Sequence, residues 1–431
     1  MSRGLGDVYK RQVVALAMLP GRRIAEVAER QFEAATGRSL EIGGKISPSL
    51  YPVLGVRIAD VSVANANWAG QDPLFEAEGL SVGVNLRPLL SGRIEIDEIR
   101  LEAPVARLAV SPEGQANWQI SSAPRSETSD RELPPISISV VKFQDATVTY
   151  DNRMAGLKYH LEDVDSNLRL SNDGSSLRLA GILNGTPIEV KGEASSPAAL
   201  LGGDVSDFTL HGKIAQSTFV FDGSLDLNPF AIRTSALVEG GSVTRLARVL
   251  ANVKLDLPAT LLDEPKFSGA VTYAEDGVIY LRNGYLRAGP NEVALDADYR
   301  PGKTRPRLSA RVSSGRIDLS DLAGNPTASA SMQSSAGWSK DRIDVSMLGL
   351  LDAEVRLDLA GLSLGRIDVG RLDATFNLDR SRLVSKIHEM NLYGGRIDGQ
   401  AVVNARNGLS LGGDLRATGL ALQPLLIDLA E

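Results

Sequence analysis

Cysteine is absent from the 431 residues, which excludes disulfide bonds, thiol catalysis and cysteine-ligated zinc. Histidine is nearly as scarce, because the chain has three, His160, His211 and His388, and none stands at H-x-x-x-H spacing from another. A histidine-rich metal site is therefore not expected. No P-loop or dinucleotide-binding fingerprint occurs either, so the sequence predicts no cofactor.

Aromatic residues and clustered positive charge are also scarce. Aromatics make up 5% of the chain, and Trp68, Trp118 and Trp338 lie too far apart to form a nucleotide-stacking platform. The net charge is −7, with Lys and Arg scattered among Asp and Glu, so the sequence predicts no basic face for phosphate backbones. Nucleic acid is not an expected partner.

The chain also lacks an apolar run long enough to span a membrane. Residues 13–19 are apolar but stop at Pro20, whereas a transmembrane helix needs about 20 such residues. We interpret this run as the end of a membrane anchor whose start is missing, and the preceding polar residues as a non-native tract. The alternative is a frayed polar terminus before a short buried segment. Residues 425–431 stop within an amphipathic pattern, which indicates a fragment.

The chain is rich in glycine and in strand-like alternation of apolar and polar residues. Its 42 glycines are spread along its length, and 43% of its residues are hydrophobic, enough for a sizeable core. Residues 21–36 have helical spacing, whereas from Ser39 onward the apolar period changes to two. The predicted fold is mainly β: an extended, curled, antiparallel amphipathic sheet, as an open groove or sandwich-like, with a short N-terminal helix and few helical interruptions.

Local signals mark a bulge and several turns within these strands. The alternation over residues 93–101 slips by one at Asp97 and Glu98, which indicates a β-bulge. Turn-forming triplets end at Gly174, Gly277 and Gly284, and each predicts a tight turn between strands.

The domain organisation is predicted from two breaks in the alternating pattern. One is polar and punctuated by proline, and the other is rich in Ala and Ser. The predicted regions are a non-native tract at 1–12, an anchor remnant and amphipathic helix at 13–36, an N-terminal β region at 37–120, a linker at 121–135, a central β region at 136–330 with a short helix near 244–253, and a truncated C-terminal β region at 331–431.

Patterns that suggest an enzyme lack the context that their chemistry needs. The G-x-S-x-G pattern of serine hydrolases occurs at residues 79–83, 361–365 and 408–412, but the first two lead into strand-like sequence and no histidine follows the third. Asp296 and Asp298 have no calcium-loop register, and we interpret them as residues on the wet face of a strand. We expect the protein not to be an enzyme.

A series of different short motifs occurs in a specific order over the first third of the chain. They are Thr36-Gly37-Arg38, Gly43-Gly44-Lys45-Ile46, Pro52-Val53-Leu54-Gly55, Val61-Ser62-Val63-Ala64-Asn65, Leu86-Arg87-Pro88-Leu89-Leu90-Ser91-Gly92 and Glu113-Gly114-Gln115-Ala116-Asn117-Trp118. The series resembles the N-terminal region of the AsmA family, and a second set between Trp338 and Gly395 resembles the C-terminal AsmA region. Together the two sets cover about half of the chain.

This resemblance implies an inner-membrane protein of a Gram-negative bacterium, anchored by one N-terminal helix with its bulk in the periplasm. Larger relatives resemble bridge-type lipid carriers, and members are associated with outer-membrane protein assembly and lipopolysaccharide levels. The implied partners are phospholipid or another acyl-chain lipid, the inner membrane through a missing N-terminal helix, and outer-membrane assembly proteins. The truncated anchor and the early C-terminal end depart from the family pattern.

Two functions remain open at this point. One is carriage of phospholipid along an apolar β groove between the inner and outer membranes; the other is a non-enzymatic scaffold for outer-membrane protein insertion and lipopolysaccharide homeostasis, acting through sheet-edge pairing. Strands in which apolar and polar residues alternate have the same sequence pattern in an open groove and in a closed sandwich core. The residues predicted to face a groove are Val82, Val84, Leu86, Ile94, Ile96, Val355, Leu357 and Leu359.

Overall fold

A computed structural model describes residues 21–49, 55–85, 96–119, 138–195, 204–251, 264–323 and 346–426, apart from residues 155, 172, 228, 303, 304, 366, 407, 424 and 425. This part of the chain contains 22 strands, so the prediction of a mainly β fold is confirmed. The chain divides into two compact units, Met1–Ala198 and Ala199–Glu431. The predicted non-native tract, anchor remnant and linker, together with Leu86 and Ile94, lie outside the described residues.

The first described element of the first unit is a helix, α1 (Gly21–Thr36), at the predicted position. Its ten strands are β1 (Leu40–Ile42), β2 (Ile46–Ser49), β3 (Gly55–Val63), β4 (Phe75–Val84), β5 (Ile96–Glu102), β6 (Val105–Val110), β7 (Ile138–Asn152), β8 (Leu157–Leu170), β9 (Ser175–Leu183) and β10 (Thr186–Ala194). Both β1 and β2 pair with β3, and β5 and β6 both lie between β4 and β7. Strands β7 to β10 follow as an antiparallel meander.

The second unit is also built from consecutive strands. They are β11 (Ser206–Ile214), β12 (Ser217–Leu227), β13 (Phe230–Gly240), β14 (Lys266–Ala274), β15 (Ile279–Ala288), β16 (Asn291–Arg300), β17 (Arg307–Asp318), β18 (Asp352–Leu364), β19 (Ile367–Asp379), β20 (Arg382–Leu392), β21 (Gly395–Asn404) and β22 (Ser410–Thr418). The described helices are α2 (Val243–Ala251), which confirms the helix predicted near 244–253, α3 (Ser320–Ala323) and a 3-10 helix at Ser346–Gly349.

Not every neighbouring pair of strands is antiparallel, which corrects part of the prediction. Strands β5 and β6 run parallel to β7, and β17 runs parallel to β18; the other described pairs are antiparallel. Parallel neighbours need a long connection, because the chain must return to the same end of the sheet. The connections at residues 111–137 and 319–351 provide this length.

The structure confirms the predicted bulge and one predicted turn, and it contradicts another predicted turn. The pairing of β4 with β5 shifts between Gly83 and Val84, which confirms the bulge predicted at Asp97 and Glu98. The turn ending at Gly277 connects β14 to β15 as predicted. The signal at Asn283 is not a turn: it lies inside β15, where Asn283 has a φ of 52° and the pairing with β16 shifts. Asn and Gly accept positive φ in a bulge as readily as in a hairpin turn.

Helix α1 lies against the first edge of its sheet. It contacts β1 and β2, Ala25 is buried, and the Glu29 carboxylate accepts a hydrogen bond of 3.0 Å from the Ile42 backbone N–H. The helix ends at Gly37, whose φ of 69° suits a C-terminal cap. Among the described residues, no helix has the length and apolar character needed to cross a membrane.

The fully buried apolar side chains of the described residues are mostly small. Ten of the eighteen are alanine, and Ile214 and Leu359 are the ones larger than valine. A closed sandwich packs large aliphatic side chains of two inner faces against each other. The apolar side chains of most strands are instead half-buried. Most of the described strands therefore carry apolar side chains that are only partly covered.

Candidate functional site

Six of the eight predicted groove residues are described, three in each unit. In the first unit, Val82 and Val84 lie on β4 and Ile96 lies on β5; all three are half-buried, and Val84 is opposite Ile96. In the second unit, Val355 and Leu357 are half-buried on one side of β18. The next residue on the same side, Leu359, has an exposed fraction of 2%, so it packs in the interior and is not accessible to a ligand.

The strand register of the first unit joins its groove residues to a wider apolar surface. Residues directly opposite each other on paired strands project to the same side of a sheet. One row contains Pro48, Val56, Val82, Ile99, Val141, Leu168 and Leu177, and the row beside it contains Ile46, Ile58, Leu80, Leu101, Phe143, Ser166, Leu179 and Val190. Apart from Ser166, each of these residues is half-buried or exposed. We call these two rows the first apolar face.

The second unit repeats this arrangement on a longer meander. Val355 and Leu357 on β18 each belong to a row that crosses from β16 to β22. The three rows are Leu295, Val312, Leu357, Ala374, Ile387, Gly399 and Leu415; Ala297, Ala310, Val355, Phe376, Ser385, Ala401 and Gly413; and Tyr299, Leu308, Ala353, Leu378, Leu383, Val403 and Leu411. We call these rows the second apolar face.

The opposite side of the second unit is charged and internally paired. A shallow depression of about 520 Å³ is lined by Arg282, Asp296 and Asp298 among other polar residues. Asp298 forms an ion pair of 2.5 Å with Arg282, and the Asp296 carboxylate accepts a hydrogen bond of 2.8 Å from the Asn283 N–H. The carboxylates of Asp296 and Asp298 therefore bond to residues of the same sheet. We expected this for carboxylates on the solvent-facing side of a strand.

Charges on the wet side of the first unit are paired in the same way. Glu98 accepts hydrogen bonds from Lys142 at 2.6 Å and Arg100 at 2.7 Å. Burial alone would raise the pKa of Glu98, but these two cations outweigh it and hold the pKa below its ordinary value. Glu98 is thus a carboxylate at neutral pH, and it joins β5 to β7 electrostatically.

Three motif residues from separate parts of the sequence meet at one place in the first unit. Asn117 is fully buried; its side chain accepts a hydrogen bond from the Ala109 N–H at 2.8 Å and donates to Asn65 at 3.0 Å. Arg38, which follows α1, donates to the main-chain carbonyl of Asn117. We call Arg38, Asn65 and Asn117 the Asn117 cluster; it ties the end of α1 to the loops after β3 and β6. The motif spacing therefore encodes a structural contact.

Residues that suggested chemistry lie in ordinary strand surroundings. The three G-x-S-x-G segments lie on or enter β4, β18 and β22, so each serine is part of a strand pattern and not of a strand-to-helix elbow. The ring of His388 bonds the Thr375 hydroxyl at 2.9 Å, and that of His160 lies 3.2 Å from Glu162. Within the described part of the chain, no three His, Asp or Glu side chains are grouped as metal ligands would be.

Sequence reasoning identified strands of both apolar faces but missed most of the residues that complete them. Val141, Phe143, Leu177 and Leu179 are examples, and each lies in an alternating segment. Alternation showed that such residues share one side of their own strand, but not which distant strand they adjoin.

Comparison with known proteins agrees with the motifs. A sequence model of the AsmA family matches residues 12–237, just over half of the chain, and this range contains the Asn117 cluster and the first apolar face. It does not extend to residues 338–395, so the C-terminal resemblance stays a prediction. No curated protein and no solved structure was found to match the chain. The family match covers both the quoted motifs and the cluster they form, and the chain belongs to the AsmA family.

Proposed function

We propose that this protein carries phospholipid between the inner and outer membranes of a Gram-negative bacterium, by holding acyl chains on its apolar β faces. The observation that carries the proposal is that rows of mostly aliphatic side chains cross many strands, and that most of these side chains are half-buried or exposed. In this proposal the protein is tethered to the inner membrane with its bulk in the periplasm. Membership of the AsmA family, which is typically membrane-associated, supports that location.

The energetics of lipid transfer explain why such a surface suffices. Each methylene group moved from a membrane into water costs about 0.8 kcal/mol, so exposing a two-chain phospholipid costs on the order of 20 kcal/mol. A carrier must therefore offer continuous apolar contact over the whole path. Acyl chains have no directional groups, so Val, Leu and Ile suffice and a specific polar anchor is not required. The low aromatic content of the chain is consistent with a lipid-binding surface built from aliphatic side chains.

A scaffold for outer-membrane protein insertion and lipopolysaccharide homeostasis is the second candidate function. The observation in its favour is strand β22, whose nine residues are all exposed and which, among the described residues, pairs only with β21. We favour the lipid carrier because a scaffold has no need of half-exposed aliphatic rows, which cost solubility.

Native mass spectrometry of the full chain, purified from a bacterial periplasm, tests the proposal directly. We expect phospholipid to be retained at a reproducible stoichiometry and to be recovered by solvent extraction. A lipid-free protein would contradict lipid carriage and favour the scaffold.

Charged substitutions on the apolar faces test which residues hold the lipid. Leu357→Glu and Val84→Glu should each reduce retained phospholipid about tenfold or more, because a buried carboxylate opposes acyl contact. Matched controls lie on the same strands but face the wet side: Arg356→Glu for β18 and Ser81→Glu for β4, and both should retain wild-type lipid levels. Circular dichroism must show the sheet intact. Loss of sheet in both Leu357→Glu and Val84→Glu would place these residues in a core and contradict the proposed groove.

A further inference from the structure

Two cations on the wet side of the second unit lack the partners that their neighbours have. Arg311 on β17 and Lys386 on β20 are exposed, and within the described part of the chain neither side chain forms an ion pair or a hydrogen bond. Other charges on this side are engaged; Glu354, for example, lies 3.4 Å from Arg307. The two unpaired cations are therefore free to bind an anion from outside the sheet.

The strand register brings these two cations into one row with a third. Arg311 lies directly opposite Arg356 of β18, and Arg356 lies opposite Thr375 of β19. Thr375 in turn lies opposite Lys386 of β20. Neighbouring strands are about 4.8 Å apart, so the row from β17 to β20 spans about 14 Å. We call Arg311, Arg356 and Lys386 the cation row.

The pairing of Arg311 with Arg356 is unfavourable as it stands, because like charges directly opposite each other destabilise a sheet. Arg356 lies 3.5 Å from Asp373, which offsets only part of the charge of the pair. Asp296 lies opposite Arg311 on the other neighbouring strand, but its carboxylate accepts the hydrogen bond from the Asn283 N–H. An anion bound between the two guanidinium groups would relieve their repulsion.

The depression of about 520 Å³ on this side gives an anion access to the row. Arg311 and Arg356 line it, together with the hydroxyl-bearing residues Ser309 and Thr375. The acidic residues that also line it are each bonded to another residue: Asp296, Asp298 and Glu354. A guanidinium group donates parallel hydrogen bonds to the oxygens of a phosphate group, and two adjacent arginines can hold one phosphate between them.

We propose that the cation row binds a phosphate-bearing anion, with one phosphate group between Arg311 and Arg356 and further negative charge near Lys386. The row lies on the side of the sheet opposite the second apolar face, so acyl chains held on that face do not occupy it. The site therefore does not depend on lipid carriage. A soluble phosphate compound and an anionic headgroup of a membrane surface present the same phosphate oxygens to it.

Calorimetric titration of the full chain with pyrophosphate tests the site, with acetate at equal ionic strength as the reference anion. We expect saturable binding of pyrophosphate. Arg311→Gln and Arg356→Gln should each raise the dissociation constant about tenfold, because each removes charge-assisted hydrogen bonds. Arg233→Gln is the matched control: Arg233 is an exposed arginine without a side-chain partner among the described residues, on β13, four strands from β17. It should bind pyrophosphate as wild type does.

Three results would overturn the proposal. They are the absence of saturable binding by the wild-type chain, an equal response to acetate, and equal weakening by Arg233→Gln and Arg311→Gln. Circular dichroism checks that each variant keeps its sheet. We expect no loss, because the substituted side chains are exposed and glutamine removes a repulsive charge.

Vesicle flotation then distinguishes the two sources of phosphate. The vesicles contain phosphatidylglycerol in phosphatidylcholine. Binding that Arg311→Gln weakens and pyrophosphate competes away supports the site and assigns it to headgroups of a membrane surface. Vesicle binding that neither change affects, together with saturable pyrophosphate binding, supports the site and assigns it to a soluble phosphate compound.

Discussion

At the scale of single residues, the buried side-chain amide of Asn117 in the first unit has a hydrogen-bond partner for each of its polar atoms. Asn117 has no exposed surface, yet its amide oxygen accepts one N–H and its amide nitrogen donates to two oxygens. A buried amide without these bonds would destabilise the fold. The positions of Arg38 and Asn65 are set by the same requirement, which explains why motif residues far apart in sequence occur together.

Glu98 gives a pH-dependent prediction at this scale. Its folded pKa is below the unfolded value of about 4.3, so its contribution is present above that pH and is lost as the pH falls through the folded pKa. Glu98→Gln should lower the free energy of unfolding by about 1–2 kcal/mol at pH 7, because Lys142 and Arg100 lose an ionised partner. The difference should shrink in acid, as measured by urea unfolding at several pH values.

The control for Glu98 is an exposed carboxylate with an exposed partner. Glu354 lies 3.4 Å from Arg307, and both side chains are more than half exposed. Glu354→Gln should change stability by less than about 0.5 kcal/mol at any pH. A Glu98→Gln effect that is the same at neutral and acid pH would mean that the ionised form of Glu98 is not what stabilises the sheet.

At the scale of elements, helix α1 covers the edge of β1, where the Glu29 carboxylate accepts a hydrogen bond from the backbone N–H of Ile42. Periodicity predicted α1 at its observed bounds, because apolar spacing of three and four over residues 21–36 is helical and Gly37 follows. It did not predict that the helix would protect an edge, since that contact joins separate elements.

Glu29→Ala tests the protective role of α1. The backbone N–H of Ile42 would lose its acceptor, so the free energy of unfolding should fall by about 1 kcal/mol in a denaturant titration. Glu33→Ala, one turn later and exposed, is the matched control and should stay within about 0.5 kcal/mol of wild type. Equal effects from the two variants would show that helix propensity, and not the edge contact, is what Glu29 provides.

Element-level prediction succeeded where the signal was local. The bulge at Asp97 was predicted because the alternation itself slips there, and the pairing of β4 with β5 confirms it. The segment around Asn283 was misread as a turn, because the same residues serve a bulge inside β15, held by the bond from Asn283 to Asp296. The parallel pairing of β17 with β18 had no local signal at all.

At the scale of the whole molecule, the described residues combine extensive β-sheet with few large buried side chains. An apolar dye such as anilinonaphthalene sulfonate should therefore bind the native, delipidated protein and become fluorescent, and phospholipid should displace it. Leu357→Glu should weaken this signal and Arg356→Glu should not. A protein that binds the dye only after partial unfolding in denaturant would have its aliphatic rows covered, which would contradict the open apolar faces.

The amino-acid sequence by itself determined the class of this protein. Period-two alternation made it a β protein, the absence of cysteine and of clustered histidine removed whole classes of metal and thiol site, and the motifs from Thr36 to Trp118 indicated its family. Each of these is a local or compositional property. Tertiary structure decided which strands adjoin, and so which aliphatic residues form one surface. It also decided that Leu359 is buried while Leu357 is half-buried. Burial and strand partnership depend on residues far away in the chain, and alternation within a strand carries no information about them.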